Sequence, residues 1–156
     1  MIFILLPAVL LTADLVIKYY INKKKDALEG KKLLGGRARL HLMYNRGFAG
    51  SRLADHPKTV KGVSSASAVL YAALFAVILK TKGARFLKLC LAAALGGALG
   101  NTTERLAKGA VTDYLQPIRK GKRGKYVYNF ADICIFIGSA AGIIAIIKEL
   151  VAGWKN

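Results

Sequence analysis

Ile2-Phe3-Ile4-Leu5-Leu6-Pro7-Ala8-Val9-Leu10-Leu11-Thr12-Ala13-Asp14-Leu15-Val16-Ile17-Lys18-Tyr19-Tyr20-Ile21 is an apolar run interrupted by one acid and one base. As a helix rising about 1.5 Å per residue, it matches a hydrocarbon core roughly 30 Å thick. No Lys or Arg precedes Lys18, so the run lacks the basic lead of a cleaved signal peptide and reads as a retained transmembrane helix. Three further apolar blocks lie at about 60–79, 86–104 and 131–151. The third is short and rich in Gly and Ala; it either borrows neighbours such as Leu106 or packs inside the bundle. The expected fold is an α-helical polytopic membrane protein, a single membrane domain over 1–156 with four transmembrane helices.

The chain is 54% hydrophobic, with 8 acidic residues against 25 Lys and Arg and a net charge of +17. On a soluble domain such a charge points to nucleic acid. Here the cations lie in loops beside apolar blocks, so anionic membrane lipids are the expected partner and nucleic acid is not. Cys90 and Cys134 fall inside apolar blocks without metal-ligand spacing, and read as small buried hydrophobes. His41 and His56 read as interfacial polar residues, and neither a metal nor another cofactor is expected.

The loop at about 22–59 contains Arg39-Leu40-His41-Leu42-Met43-Tyr44. Its alternation places Leu40, Leu42 and Tyr44 on one face of a strand, after a turn at Gly35-Gly36. The loop at about 106–130 holds Pro117 and Gly121-Lys122-Arg123-Gly124, a turn within a two-stranded ribbon that ends at Tyr126-Val127-Tyr128. The first and third loops thus supply a small β-sheet lying on the membrane. Lys80-Thr81-Lys82-Gly83-Ala84-Arg85 is a tight hairpin, and Trp154-Lys155-Asn156 an interfacial anchor. Residues 22–61 carry 11 Lys and Arg and residues 105–125 carry 7, against 4 around the hairpin. By the positive-inside rule the two large loops would be cytoplasmic.

Asp113 and Asp132 each sit where an apolar helix meets a polar loop. A carboxylate at a membrane boundary is costly and therefore a functional candidate. Two that converge would share a proton and act on one water, one as base and one as acid. The structural alternative is that each caps a helix, Asp132 at the start of the fourth block. Gly96-Gly97-Ala98-Leu99-Gly100 is a small-residue stripe that lets helices approach closely. Asn101 and Arg105 share a helix face, and Glu104 either pairs with Arg105 at the interface or holds the loop that carries Asp113. Asp14 and Lys18 also share a face. They form an ion pair with Lys18 snorkelling to the headgroups, or Lys18 holds a headgroup or a peptide carbonyl. In Asn45-Arg46-Gly47-Phe48-Ala49-Gly50-Ser51 the glycines permit a turn, and Asn45 is a donor and acceptor for a substrate backbone.

Together these motifs resemble lipoprotein signal peptidase, also called signal peptidase II, from Asp14 to about Gly138. The family's first-helix Asp and Lys are matched by Asp14 and Lys18, and its Asn-x-Gly segment by Asn45 and Gly47. Its Gly-Gly-Ala-x-Gly-Asn-x-x-Asp-Arg segment is matched by Gly96, Gly97, Ala98, Gly100, Asn101 and Arg105. Its two catalytic aspartates are matched by Asp113 and, within Asn129-Phe130-Ala131-Asp132, by Asp132. Three positions depart from the family pattern: Glu104 stands where the family has Asp, the Asn45 segment runs on differently, and Ile133 replaces a small polar residue.

The resemblance implies a membrane aspartic endopeptidase that needs no cofactor and cuts prolipoproteins before a diacylglyceryl-modified cysteine. It implies Asp113 and Asp132 as catalytic; Asn45, Gly47, Asn101, Arg105 and Asn129 as substrate-binding; and Asp14, Lys18 and Glu104 as supporting. It also implies four helices in a bacterial plasma membrane, cytoplasmic termini, and an extracytoplasmic active site and sheet, opposite to the charge count. A monomer is the favoured state. A divergent relative that binds lipopeptides without cutting them is the alternative. A small proton or ion carrier would account for Asp14 and Lys18 but not for the ordered motifs.

Overall fold

The computed structural model describes residues 2–48 and 50–153, so the anchor expected at Trp154-Lys155-Asn156 lies outside the described residues. Four long helices dominate: α1 (Ile2–Lys23), α3 (Pro57–Lys80), α4 (Arg85–Lys108) and α5 (Phe130–Gly153), with a single turn α2 (Lys25–Leu28) after α1. Strands β1 (Lys32–Leu33), β2 (Ala38–Asn45), β3 (Val111–Arg119) and β4 (Lys122–Arg123) form one antiparallel sheet in the order β1-β2-β3-β4.

Of the four long helices, α1, α3 and α5 are long and apolar enough to cross a membrane. They leave large apolar side chains uncovered, such as Phe136 at 75% exposure, as helices facing hydrocarbon do. Helix α4 is equally long, but its Gly/Ala run and the polar residues from Asn101 onward dilute its apolar character. The packing explains why. Helix α4 lies in the middle and touches α1, α3 and α5, so Ala92, Ala94, Leu95, Gly97 and Ala98 are buried on successive faces. A Cβ on Gly96 would meet Leu10 and the Pro7 carbonyl; on Gly97, the Ala131 carbonyl; on Gly100, the Asp14 carboxylate. Small residues here set the helix spacing, since helices in lipid are held by close packing.

The boundaries follow from local chemistry. Pro57 opens α3 at a position where its missing N–H costs nothing. Gly109, in the left-handed conformation at φ 74°, ends α4 and returns its N–H to the Arg105 carbonyl. Only Gly109 and Ala110 separate α4 from β3, so β3 hangs directly from the central helix. The sheet lies across the end of α1, where Leu40 and Tyr114 pack against Ile17 and Ile21.

The alternation in β2 holds for Leu40 and Leu42 but fails at Tyr44. The β2–β3 register shifts between Leu40 and Met43, and Tyr44 turns outward, 58% exposed, with its hydroxyl donating to Asn22 Oδ1 at 2.7 Å. A bulge of this kind re-aims every side chain that follows it, and Asn45 is thereby buried against β3.

Candidate active site

Asp113 enters the site from β3 and Asp132 from the first turn of α5. Both line one cavity of about 690 Å³, with Asn45 and Phe48 from the first loop, Asn101 and Arg105 from α4, and Ser64, Ser67 and Tyr71 from α3. The aspartates are not linked to each other directly but through asparagine amides. Asp113 accepts from Asn45 Nδ2 at 3.0 Å and from Asn129 Nδ2 at 2.7 Å. Asp132 accepts from Asn101 Nδ2 at 2.7 Å.

Each amide is oriented by a donor on its oxygen. Asn45 Oδ1 accepts from the Gly47 N–H at 3.0 Å, so its NH2 must face Asp113. Asn129 Oδ1 accepts from the Asp132 N–H at 2.8 Å. Asn101 Oδ1 accepts from Lys18 Nζ at 2.9 Å and from Asn129 Nδ2 at 3.2 Å, which turns its NH2 to Asp132. An ammonium can only donate, so Lys18 fixes the Asn101 amide unambiguously. The route from α1 to Asp132 is therefore Lys18, Asn101, carboxylate.

The capping reading of Asp132 and its place in the cavity coexist. Asn129 and Asp132 form a reciprocal cap: the Asp132 N–H donates to the Asn129 side chain, and the Asn129 N–H donates to Asp132 Oδ2 at 3.1 Å. The Phe130 N–H finds the Tyr114 hydroxyl at 3.0 Å, and the Ala131 N–H finds Asp14 Oδ1 at 3.0 Å. All the leading N–H groups of α5 are thus satisfied by side chains from α1, β3 and the cap itself. The other oxygen of Asp132 stays turned to Asn101 at the cavity.

Lys18 does not snorkel. It is 1% exposed, pairs with Asp14 at 2.7 Å, and lies 3.4 Å from Glu104, so its ammonium holds neither a headgroup nor a substrate carbonyl. Glu104 does not pair with Arg105. It accepts from the Thr112 N–H at 2.8 Å and the Thr112 hydroxyl at 2.9 Å, and from Lys108 at 2.8 Å. The acid that departs from the family pattern thus grips the residue immediately before Asp113.

Arg105 spans the other wall. Its guanidinium donates to the Gly47 carbonyl at 2.7 Å and to Ser64 Oγ at 3.1 Å, and stacks 5.1 Å from the centre of the Phe48 ring. It therefore ties α4 to α3 and to the loop that presents Asn45. Gly47 is required because a Cβ would strike the Ser51–Arg52 backbone.

The electrostatics separate Asp113 from an ordinary carboxylate. Burial, and then repulsion by the neighbouring Asp132, raise it to about 6, against the pull of the Asn45 and Asn129 amides. Among the described residues no trio of His, Cys, Asp or Glu is clustered as metal ligands.

Sequence reasoning missed Thr112, Phe48 and the polar stripe of α3. Ser64, Ser67 and Tyr71 all line the cavity. Their spacing of three and four residues within an apolar helix was the available signal.

The sequence model of the family described as Signal peptidase (SPase) II matches residues 6–148. A lipoprotein signal peptidase of Pseudomonas fluorescens (strain Pf0-1) is 29% identical over 150 residues, covering 95% of this chain and 88% of that protein. One from Moorella thermoacetica is 33% identical over 136 residues, covering 87% and 86%. One from Methylobacterium sp. (strain 4-46) is 33% identical over 114 residues, 73% of this chain and 66% of the relative. The fold is similar to that of a bacterial membrane enzyme solved by the in meso method at 2.3 Å resolution, with a TM-score of 0.77 and 22% identity over 95% of this chain and 88% of the other. Matched over nearly all of its length, from the first apolar helix to the last, the chain belongs to the signal peptidase II family.

Proposed function

We propose that the protein is a membrane aspartic endopeptidase that removes the signal peptide from diacylglyceryl-modified prolipoproteins, cutting before the lipidated cysteine. The observation that carries this reading is the pair of carboxylates on one cavity, each fixed by amides that are themselves fixed, with Asp113 raised to about 6. A pair in which one member holds its proton well above the usual carboxylate range has what peptide hydrolysis needs. Asp132 takes a proton from water as that water attacks the scissile carbonyl. Asp113 donates a proton to the carbonyl oxygen, and the proton then passes to the leaving amine as the C–N bond breaks.

The remaining roles follow the same geometry. Asn101, Asn45 and Asn129 orient the aspartates and offer polar edges to the substrate backbone. Arg105 and Gly47 shape the wall that the peptide meets. Lys18, Asp14 and Glu104 lie behind the site and hold its amides and β3 in place. Apolar cavity residues on α5, such as Ile133, Phe136 and Ile137, suit a substrate that arrives within the bilayer.

The same reading has α4 crossing with the other three helices, shielded from lipid by them. Both termini are cytoplasmic, and the sheet and site face outward, where the lipidated substrate is presented. The catalytic unit is one chain.

The test is cleavage of a diacylglyceryl-modified prolipoprotein by purified protein in liposomes, beside Asp113→Asn and Asp132→Asn. Release of the signal peptide by the wild type and by neither variant supports the proposal. Binding without release, on substrate that an active family member cuts, refutes it and favours a non-catalytic lipopeptide binder.

A further inference from the structure

The far end of the sheet carries an exposed apolar side chain among cations. The β1–β2 turn and the β3–β4 turn project from the same end, because Ala38 pairs with Pro117 and the Ile118 N–H donates to the Arg37 carbonyl at 2.7 Å. This end is opposite the one where Asn45 pairs with Val111 beside the aspartates. At its tip Leu34 is 72% exposed and sits at φ 52°. A branched side chain in the left-handed region is disfavoured, so the turn holds a leucine outward at a conformational cost. Around it stand Lys32, Arg37, Arg119, Lys120, Lys122 and Arg123, all of them exposed. Among the described residues none of these six joins an ion pair.

Among the described residues, this apolar tip inside a basic collar meets no acidic side chain that pairs with the collar. We infer that this end of the sheet docks on the anionic phospholipid leaflet beside the bundle, with Leu34 entering the headgroup region and the six cations on phosphates. Charge complementarity selects the occupant. The sheet is fastened to α1 and α4 at the membrane boundary, so lipid phosphates face it at high local concentration. Near-surface cations add attraction of about fivefold each, and salt weakens it. An acidic protein partner would satisfy the collar but not the leucine. Docking would seat the strand that carries Asn45 relative to the leaflet from which substrate arrives. In that sense it extends the proposed peptidase reading, but its readout does not depend on cleavage.

The experiment uses full-length protein in nanodiscs, with Leu34→Cys carrying an environment-sensitive fluorophore, in phosphatidylcholine alone or with one third phosphatidylglycerol. Cys90 and Cys134 are replaced by Ala to keep labelling specific. Docking predicts a blue-shifted probe quenched by spin-labelled lipid in the phosphatidylglycerol discs, and reversal in high salt. It also predicts a shift on the order of a hundredfold toward the undocked state in Lys120→Gln/Lys122→Gln/Arg123→Gln. A probe that stays in water in both discs overturns the inference, as does insertion that is equal with and without anionic lipid. Asp113→Asn in the same background leaves docking unchanged, so a failure of the peptidase reading and a failure of this one remain distinct.

Discussion

Replacing Asp113 by Asn should shift stability in the variant's favour, relative to the wild type, as the pH rises, although it should abolish cleavage. Asp113 is 2% exposed, and its carboxyl is raised from 3.8 to about 6 by burial and by Asp132. A shift of about two units at 1.36 kcal/mol each corresponds to about 3 kcal/mol. Below about pH 4 the folded and unfolded chains both hold this proton, and the wild type carries no penalty. As the pH climbs, the unfolded chain releases its proton first and gains by doing so, while the folded chain keeps its own until about pH 6. The stability linked to Asp113 is therefore intact at pH 4 and lost above pH 6. Asn does not titrate and escapes that loss.

The variant has a fixed cost as well. Asn45 and Asn129 both donate to Asp113, and an amide can accept from only one of them, which costs about 1–3 kcal/mol at every pH. That cost sets the offset between the two proteins but not its change with pH. The difference in melting temperature, variant minus wild type, should therefore rise by roughly 6–12 °C between pH 4 and pH 7.5. Far-UV circular dichroism melts in a non-ionic detergent measure it without depending on thiol or tyrosine chemistry. A Asp132→Asn background should shrink the rise, because the repulsive part of the shift is removed. A difference that stays flat across this range would mean that Asp113 titrates as an ordinary carboxylate, and the shared-proton argument would fail with it.

Two further perturbations test the packing behind the site. Lys18→Met strands Asp14 in the interior without its counter-ion and should cost about 3–5 kcal/mol, read by thermal or SDS unfolding. Adding Asp14→Asn should recover most of that loss, because Glu104 keeps Lys108 and Thr112; a double variant no better than the single one would contradict the network. Gly97→Ala should destabilise by about 1–3 kcal/mol, because its Cβ meets the Ala131 carbonyl, a backbone atom at the fixed start of α5. Gly142→Ala should be neutral or slightly stabilising, since its Cβ would make only ordinary 3.5 Å contacts with Cys90 and Leu87. Equal effects at the two glycines would show that helix propensity, and not helix spacing, is being measured.

The sequence announced its elements where periodicity is local. Runs of twenty apolar residues and a strand alternating at Leu40 and Leu42 need no partner to be recognised. It misled where the outcome depends on distant residues. Tyr44 reads as part of the apolar face until a register shift against β3 turns it out. Lys18 lies one helical turn from Asp14, which is visible, but its other partners are Asn101 and Glu104, more than eighty residues away. A lysine near the end of a membrane helix normally reaches for water. Only the convergence of three acceptors draws this one inward.

Helix α4 joins these observations. Among the long helices it is the least like a membrane span, with glycines where leucines would be expected and with Asn101, Glu104 and Arg105 in its last two turns. On a lipid-facing helix those residues would be prohibitive, since buried polar groups without partners cost several kcal/mol each. Wrapped by α1, α3 and α5, the helix is buried or half-buried through its middle turns, and its polar residues find partners from every neighbour: Lys18 on α1, Ser64 on α3, Asp132 on α5 and Thr112 on β3. The glycines make the wrapping close enough for those bonds to form. The hydropathy that makes α4 a poor candidate for a span and the polarity that makes it the scaffold of the site are therefore one property. Enlarging its glycines should disturb the aspartates through Asn101 before it unfolds the bundle.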